Sequence, residues 1–178
     1  MALQTVSLNS GSNGNCYYIG NEQEAILVDA GLSCRETERR LKRLGLSVEK
    51  IKAIFISHEH IDHVRGLAGL ADKFKMPIYI TPNTKARCYH VKAHDTSTFA
   101  ANKPVWIGTM CVTAFLKPHD AADAHSFIIA SGGITVGVFT DIGGICQSLV
   151  HHFAQCNVAF LEANYDENML AAGSYPAH

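Results

Sequence analysis

One short segment constrains this chain more than any other, because it places three histidines and an aspartate within six positions. The pattern is H-x-H-x-D-H, formed by His58, His60, Asp62 and His63. The apolar run 52–56 before it contains β-branched residues and predicts a buried strand, and the run 64–74 after it predicts a helix. The four side chains therefore lie on the turn between a strand and a helix.

That turn can direct all four side chains into one cavity. Residues two apart on an extended chain point to the same side, so His58 and His60 face together. Asp62 and His63 then reach back from the start of the helix. Neutral imidazoles combined with one carboxylate are typical ligands of Zn²⁺, Mn²⁺ or Fe. Some chance proximity is expected among ten histidines, but four such side chains in this order predict a metal centre.

The composition is that of an ordinary globular domain, with 178 residues, 47% hydrophobic and 17% charged. We predict a single domain over residues 1–178. The formal net charge of −1 argues against binding of nucleic acid through bulk positive charge, so any phosphate contact would be local. The six cysteines form no C-x-x-C pair, which favours reduced thiols. We see no signal peptide and no membrane-spanning run, and expect a cytoplasmic protein without a membrane partner.

The rest of the chain alternates between strand and helix patterns. Strands are predicted at 3–8, 16–19, 25–28, 77–80, 105–107, 111–117, 126–130, 134–139 and 158–161. Helices are predicted at 33–44, from 82 toward 94, at 147–153 and at 167–172. The pair Gly132-Gly133 predicts a tight hairpin, and Ser33-x-x-Glu36 is a capping-box pattern. Hairpins mixed with strand–helix units predict two sheets with helices outside them.

The histidine-rich segment resembles the signature of the metallo-β-lactamase-fold superfamily. Three further segments resemble motifs of that family and occur in its order: a strand-end Asp-x-Gly at 27–31, the segment of the next histidine ligand at 117–120, and a Thr-Asp-x-Gly strand end at 139–143. The resemblance covers nearly the whole chain. It implies an α/β (α+β) fold, the four-layer αββα sandwich, and we expect its C-terminal part to be missing because the chain stops in a loop-like stretch at 172–178.

Other segments are similar to the bacterial YycJ/WalJ branch of that family. They are the runs 10–16, 119–123 and 161–166. That branch is associated with DNA exonuclease activity. The resemblance therefore implies a nuclease, with DNA or another phosphodiester as substrate.

The family resemblance also implies a ligand set for two divalent metal ions (Zn, Mn or Fe). One ion would be held by His58, His60 and His119, the second by Asp62 and His63, with Asp141 bridging them. Two cations about 3.5–4 Å apart lower the pKa of a shared water from 15.7 toward about 7. The resulting hydroxide would attack the substrate, and Asp62 would hold it in line as the catalytic carboxylate.

Residues around this ligand set have candidate roles with open alternatives. Asp29 is a candidate hydrogen-bond partner behind a ligating imidazole, or else an ordinary turn-capping aspartate. Asn13 and Asn15 lie in a polar turn whose N–H groups would cradle a phosphate. His125 either lines the substrate cleft or lies on the surface. Glu59 is expected to point to solvent.

The basic residues of the first predicted helix have two readings. Arg35, Arg39, Arg40, Lys42 and Arg43 form either a phosphate contact or, as we favour, a solvated face with Leu41 and Leu44 turned inward. The nature of the bond cleaved is also open, since a thioester or lactone hydrolase would share every ligand. His60 favours hydrolysis over the family's di-iron redox branch, which carries a carboxylate there. A third reading is a catalytically dead relic, because the family's last histidine ligand has no match before His178.

Overall fold

The computed structural model describes residues 3–91 and 96–162, and two β-sheets dominate it. The strands of the first sheet are β1 (Gln4–Asn9), β2 (Cys16–Gly20), β3 (Ala25–Val28), β4 (Ile51–Phe55), β5 (Ile78–Tyr79) and β6 (Thr96–Ser97). They lie in the order β1-β2-β3-β4-β5-β6. The pairs from β1 to β3 are antiparallel, and those from β3 to β6 are parallel.

The second sheet is formed by the later half of the chain. Its strands are β7 (Pro104–Ile107), β8 (Met110–Leu116), β9 (His125–Ser131), β10 (Ile134–Phe139) and β11 (Val158–Leu161). They lie in the order β11-β10-β9-β8-β7, antiparallel from β7 to β10 and parallel between β10 and β11. Gly132 and Gly133 both have positive φ and join β9 to β10, as expected for a tight hairpin.

Helices cover the outer faces of the sheets. They are α1 (Cys34–Arg43), α2 (Ile61–Val64), α3 (Leu67–Phe74), α4 (Pro82–Arg87) and α5 (Gln147–Phe153), with 3₁₀ turns at Val48–Lys50 and Tyr89–Val91. The capping prediction holds in part at the start of α1: Ser33 Oγ accepts the Glu36 N–H at 3.3 Å, whereas the Glu36 carboxylate pairs with Arg39 and Arg40. Within the described ranges, no helix has the length and apolar character needed to cross a bilayer.

Alternation along the strands divides the hydrophobic core into layers. In β3, Ile26 and Val28 face the other sheet, whereas Ala25 and Leu27 face α1 and α3. On the far side of the second sheet, Leu149 of α5 packs with Phe139. The order helix, sheet, sheet, helix confirms the predicted αββα sandwich.

Several predicted element boundaries differ from the structure. The single helix predicted at 64–74 is two helices, α2 and α3, separated at Gly66, where a side chain would collide with the Leu32 carbonyl. The helix predicted toward residue 94 ends at Arg87, and β6 was not predicted. Leu44 is 52% exposed and does not turn inward with Leu41. The predicted helix at 167–172 and His178 lie outside the described residues.

Candidate metal centre

The H-x-H-x-D-H segment lies where β4 leaves the first sheet and α2 begins. His60 is the residue before the first turn of α2, and Asp62 and His63 belong to that turn. His58 and His63 are fully buried, whereas His60 is only partly buried. The predicted geometry is therefore present, because the short helix turns Asp62 and His63 back toward the end of the strand.

Three imidazoles from both sheets meet at one point, and we call them the histidine triangle: His58, His60 and His119. His58 Nε2 lies 3.1 Å from His60 Nδ1, and His119 Nε2 lies 3.2 and 3.3 Å from the same two atoms. Ligand nitrogens of a tetrahedral ion with bonds of about 2.0–2.1 Å are separated by about 3.3 Å. The three nitrogens therefore match the spacing that a Zn²⁺-like ion requires.

The surroundings of His58 and His119 favour the neutral form of these two imidazoles. Ser57 Oγ lies 2.9 Å from His58 Nδ1 and donates its own hydrogen to Asp29 Oδ2. It therefore accepts the Nδ1–H of His58, which leaves the Nε2 lone pair facing the triangle. Burial lowers the pKa of His58 and that of His119. Neutral imidazoles are the form that binds a metal.

A second set of ligand atoms adjoins the triangle, and we call it the mixed group: His58, His63 and Asp141. Asp141 Oδ2 lies 2.8 Å from His63 Nε2 and 3.8 Å from His58 Nε2. Although the first distance is that of an ion pair, this buried oxygen has no well-oriented hydrogen bond among the described residues. A metal ion bound between the two imidazoles would give this oxygen a well-placed partner.

Asp62 borders the mixed group without belonging to it. Its Oδ2 lies 3.5 Å from His63 Nε2. Burial raises the pKa of Asp62, but the neighbouring His63 outweighs burial and holds that pKa below its usual value. Asp62 is therefore a carboxylate at neutral pH, as a metal ligand or an acceptor for water must be.

Asp29 supports the mixed group from behind. Its Oδ2 accepts the Nδ1–H of His63 at 2.8 Å, and its two oxygens also accept the N–H and O–H of Ser57. Asp29 is completely buried, and its side chain contacts His63 and Ser57. Burial alone lowers the pKa of His63, but the carboxylates of Asp29 and Asp141 raise it well above its usual value.

Both strand-end aspartates have left-handed backbone conformations. Asp29 follows β3 with φ 62°, and Asp141 follows β10 with φ 47°. Aspartate is one of the few non-glycine residues that tolerate this region. The turn of the chain at these points directs both carboxylates toward His63.

The loop that carries His119 is held against the Asp141 loop and the motif loop. The Gly143 N–H donates to the Pro118 carbonyl at 2.9 Å, and the His125 N–H donates to the Ser57 carbonyl at 3.0 Å. Lys117 is 7% exposed and its ammonium group donates to the Thr140 carbonyl. These backbone contacts, which the sequence did not indicate, bring together ligands from the two sheets.

The residues predicted to contact the substrate do not all lie where the sequence analysis expected them. The N–H groups of Gly14 and Asn15 already donate to the carbonyls of Gly11 and Asp62, so they are not free to cradle a phosphate. The Asn15 side chain is fully buried beside Asp62 and His63, and only Asn13 is exposed. His125 is buried against Phe99, so it is not a surface residue.

The prediction for Glu59 was wrong. Its side chain is only 10% exposed, and Oε1 accepts the Ala122 N–H at 2.8 Å. This contact ties the His119 loop to the motif loop. A charged residue between two inward-facing histidines was expected to face outward, and only the folded loop supplies the N–H that holds it inward.

The chain is similar to known proteins both in sequence and in fold. The family model of the metallo-beta-lactamase superfamily matches residues 10–126, which include the whole H-x-H-x-D-H segment and His119. The fold is similar to that in the crystal structure of the metallo-beta-lactamase fold protein YhfI from Bacillus subtilis. The TM-score is 0.76 at 18% identity, over 97% of this chain and 77% of that one.

Two curated relatives match nearly the whole chain. The exodeoxyribonuclease YycJ of Bacillus anthracis is 31% identical over 180 aligned positions, which cover 99% of this chain and 68% of the relative. The exodeoxyribonuclease WalJ of Streptococcus pneumoniae is 29% identical over 174 positions, or 94% of this chain and 65% of the relative. The chain thus spans about two thirds of the length of these relatives.

Proposed function

This chain belongs to the metallo-beta-lactamase superfamily of metal-dependent hydrolases, and we propose that it cleaves phosphodiester bonds of DNA as an exonuclease. The observation that carries the proposal is the convergence of the histidine triangle and the mixed group in a chain similar over its length to two exodeoxyribonucleases. A thioester or lactone substrate would use the same ligands, but no relative described above points to one.

We assign two divalent ions to the site from the chemistry of its donors. The first would be held by the histidine triangle, and the second by His63 and Asp62, with Asp141 as a further ligand. When bound, such ions make water nucleophilic near neutral pH and neutralise negative charge that develops on a phosphate. No side chain near the site is needed as a covalent nucleophile.

Residues of the chain orient the imidazole ligands and provide a carboxylate that accepts a hydrogen bond from water. His58 and His63 are fixed through their Nδ1 atoms by Ser57 and Asp29, so both Nε2 atoms face the site. The Asp62 carboxylate is ionised and lies next to His63. We assign it the role of accepting a hydrogen bond from the attacking water and so orienting it toward the phosphorus atom.

Most basic residues of α1 are not part of this proposal. Arg39 and Arg40 pair with Glu36, and Arg40 also donates to the Leu8 carbonyl. These contacts support the reading of α1 as a structural, solvated face. Arg65, exposed and two residues after His63, supplies local positive charge instead.

The test is cleavage of duplex DNA labelled at the 5′ or the 3′ end, with Mn²⁺ or Zn²⁺ added to the full encoded protein. Wild type is compared with Asp62→Ala and with Glu49→Gln, which alters an exposed carboxylate in the 3₁₀ turn before β4. We expect stepwise release of nucleotides by wild type and Glu49→Gln, and loss of release in Asp62→Ala.

Two results would contradict the proposal. If wild type binds metal but leaves DNA intact, the substrate is not DNA, and thioesters and lactones become the substrates to assay. If Asp62→Ala releases nucleotides as fast as wild type, the cleavage does not come from this site.

A further inference from the structure

Asn15 occupies a junction of three segments at the candidate site. It precedes β2, and its backbone N–H donates to the Asp62 carbonyl at 2.6 Å. Its own carbonyl accepts the N–H of Gly31, in the loop after β3, at 2.8 Å. A single buried residue therefore joins the starts of β2 and α2 to the end of β3.

The junction has no room to shift. A side chain at Gly31 would collide with the Asp62 carbonyl, and one at Gly14 would lie 2.6 Å from the Gly31 carbonyl oxygen. Because these glycines have no side chains, the backbone segments lie in close contact, and this contact fixes the position of Asn15 relative to Asp62. The position of the Asn15 side chain is thus set by the fold.

The orientation of the Asn15 amide is set by two donors. Its Oδ1 accepts the Gly11 N–H at 3.1 Å and the Tyr17 O–H at 3.2 Å. Because both donors contact the oxygen, the NH₂ group must face the other way. There Nδ2 lies 3.3 Å from Asp62 Oδ2 and 3.0 Å from His63 Nε2.

We propose that Asn15 is a positioning residue for Asp62, holding it by the main chain and restraining its carboxylate through the side-chain amide. This inference rests on the proposed function and deepens it, since Asp62 is the residue assigned to orient water. The amide is uncharged, so it restrains the carboxylate without neutralising it. When His63 Nε2 binds a cation, Asp62 remains as the acceptor for this NH₂ group.

The role differs from that of a substrate contact, and kinetics can separate the two. A residue that orients a catalytic group affects kcat, whereas a residue that binds substrate in its ground state affects KM. A role only in folding changes the fraction of folded protein and leaves the properties of the folded site unchanged. The measurements must therefore include kcat, KM and a spectroscopic signal from the metal site.

Asn15→Asp is the most informative substitution. It keeps an oxygen for Gly11 and Tyr17 but places a second oxygen against Asp62 Oδ2, where a donor is needed. Asn21 provides the matched control, because it is a buried asparagine at the opposite end of β2 and its Oδ1 also accepts two hydrogen bonds, from the N–H groups of Gln23 and Glu24. Both variants are made in the full protein.

We expect Asn15→Asp to lower kcat for DNA by about 10–100-fold, as is typical when a partner behind a metal ligand is altered. KM should remain that of wild type. The visible absorption spectrum of the Co²⁺-loaded protein should change in Asn15→Asp, because Asp62 is displaced, and should stay unchanged in Asn21→Asp. A rise in KM at constant kcat, or an unchanged spectrum with unchanged kcat, would overturn the proposal.

A second measurement covers the case in which Asn15→Asp fails to fold. The side-chain amide signals of Asn15 and Asn21 are followed by ¹⁵N NMR in wild type and Asp62→Ala. We expect the Asn15 signals to move and those of Asn21 to stay; an unmoved Asn15 signal contradicts the inference. Wild type that does not cut DNA would remove the proposed function, but the Co²⁺ and NMR comparisons would still decide whether Asn15 restrains Asp62.

Discussion

The histidine triangle and the mixed group lie side by side and share His58, yet their electrostatics are opposite. The triangle consists of imidazoles alone, and burial keeps the pKa of His58 low. In the mixed group, His63 is also buried, but the carboxylates around it raise its pKa. His58 is therefore ready to bind a cation, whereas His63 must release a proton first.

The difference follows from the group that contacts the Nδ1 atom of each histidine. His58 Nδ1 meets a hydroxyl, that of Ser57, while His63 Nδ1 meets the buried carboxylate of Asp29. A hydroxyl fixes the ring without adding charge, whereas a buried carboxylate stabilises the imidazolium. Two histidines five positions apart in one motif thus acquire different acid–base properties from the groups that contact their Nδ1 atoms.

The largest expected effect comes from the shared residue. His58→Gln removes a ligand of the triangle and also the imidazole that lies 3.8 Å from Asp141 in the mixed group, whereas His60→Gln alters the triangle alone. We expect His58→Gln to lower DNA cleavage by at least about a hundredfold, the upper end of the loss found for partners behind the ligands. The metal content after dialysis, measured by mass spectrometry, should fall further in His58→Gln than in His60→Gln. Equal metal content in the two variants would show that loss of His58 does not disturb the mixed group.

The second prediction compares two Asp–His pairs. Asp29 and His63 form a fully buried pair, whereas Asp120, paired with His119 at 3.1 Å, is 64% exposed. Asp29→Asn removes the fully buried charged partner of His63 and should lower the free energy of unfolding by about 3 kcal/mol. Asp120→Asn should change it by less than about 1 kcal/mol. Urea unfolding of metal-free protein measures both, and equal losses would contradict the difference in burial.

The third prediction concerns pH, in metal-free protein. The folded pKa of His63 lies above its unfolded value near 6.5, so its stabilisation is full below about pH 6.5 and is lost as pH rises through the folded pKa. The folded pKa of His58 lies below that value, so stability is lost as pH falls below about 6.5, where the unfolded chain binds the proton.

Two variants separate these opposing contributions. On acidification, the stability of wild type relative to His63→Gln should increase, and that relative to His58→Gln should decrease. Urea unfolding at a series of pH values measures both differences. If both stability differences change in the same direction on acidification, the pKa values of the two histidines are not shifted in opposite directions.

The smallest expected effect is on the loop that completes the triangle. Glu59→Ala removes the acceptor for the Ala122 N–H and should cost about 1 kcal/mol of local stability. Hydrogen exchange of the Ala122 amide should become faster, with weaker metal binding by the triangle and little change in the mixed group. Glu49→Ala, on an exposed turn, is the control, and an unchanged Ala122 exchange rate would contradict the role of Glu59.

Much of the site could be predicted because its core is local in sequence. The strand–turn–helix that carries His58, His60 and His63 is set by residues within one segment, where the alternation of a strand and the first turn of a helix decide which side chains converge. The arrangement of two sheets with helices outside was predicted for the same reason, whereas the four-layer αββα sandwich was implied by the family resemblance. Its strands show β-branched patterns, and its hairpin glycines have the positive φ that such turns require.

Local sequence patterns left the contacts between distant segments undetermined; that His119 joins His58 was implied by the family resemblance alone, and the tertiary structure shows how the segments meet. His119 lies 61 residues from His58 along the chain, and Asn15 lies 47 residues from Asp62. Such pairs meet only because two sheets pack face to face and the loops at one edge exchange backbone hydrogen bonds. The inward position of Glu59 and the burial of Asn15 follow from that packing. Local patterns specify which groups a segment offers, whereas burial and the partner supplied by another segment determine how each group is used.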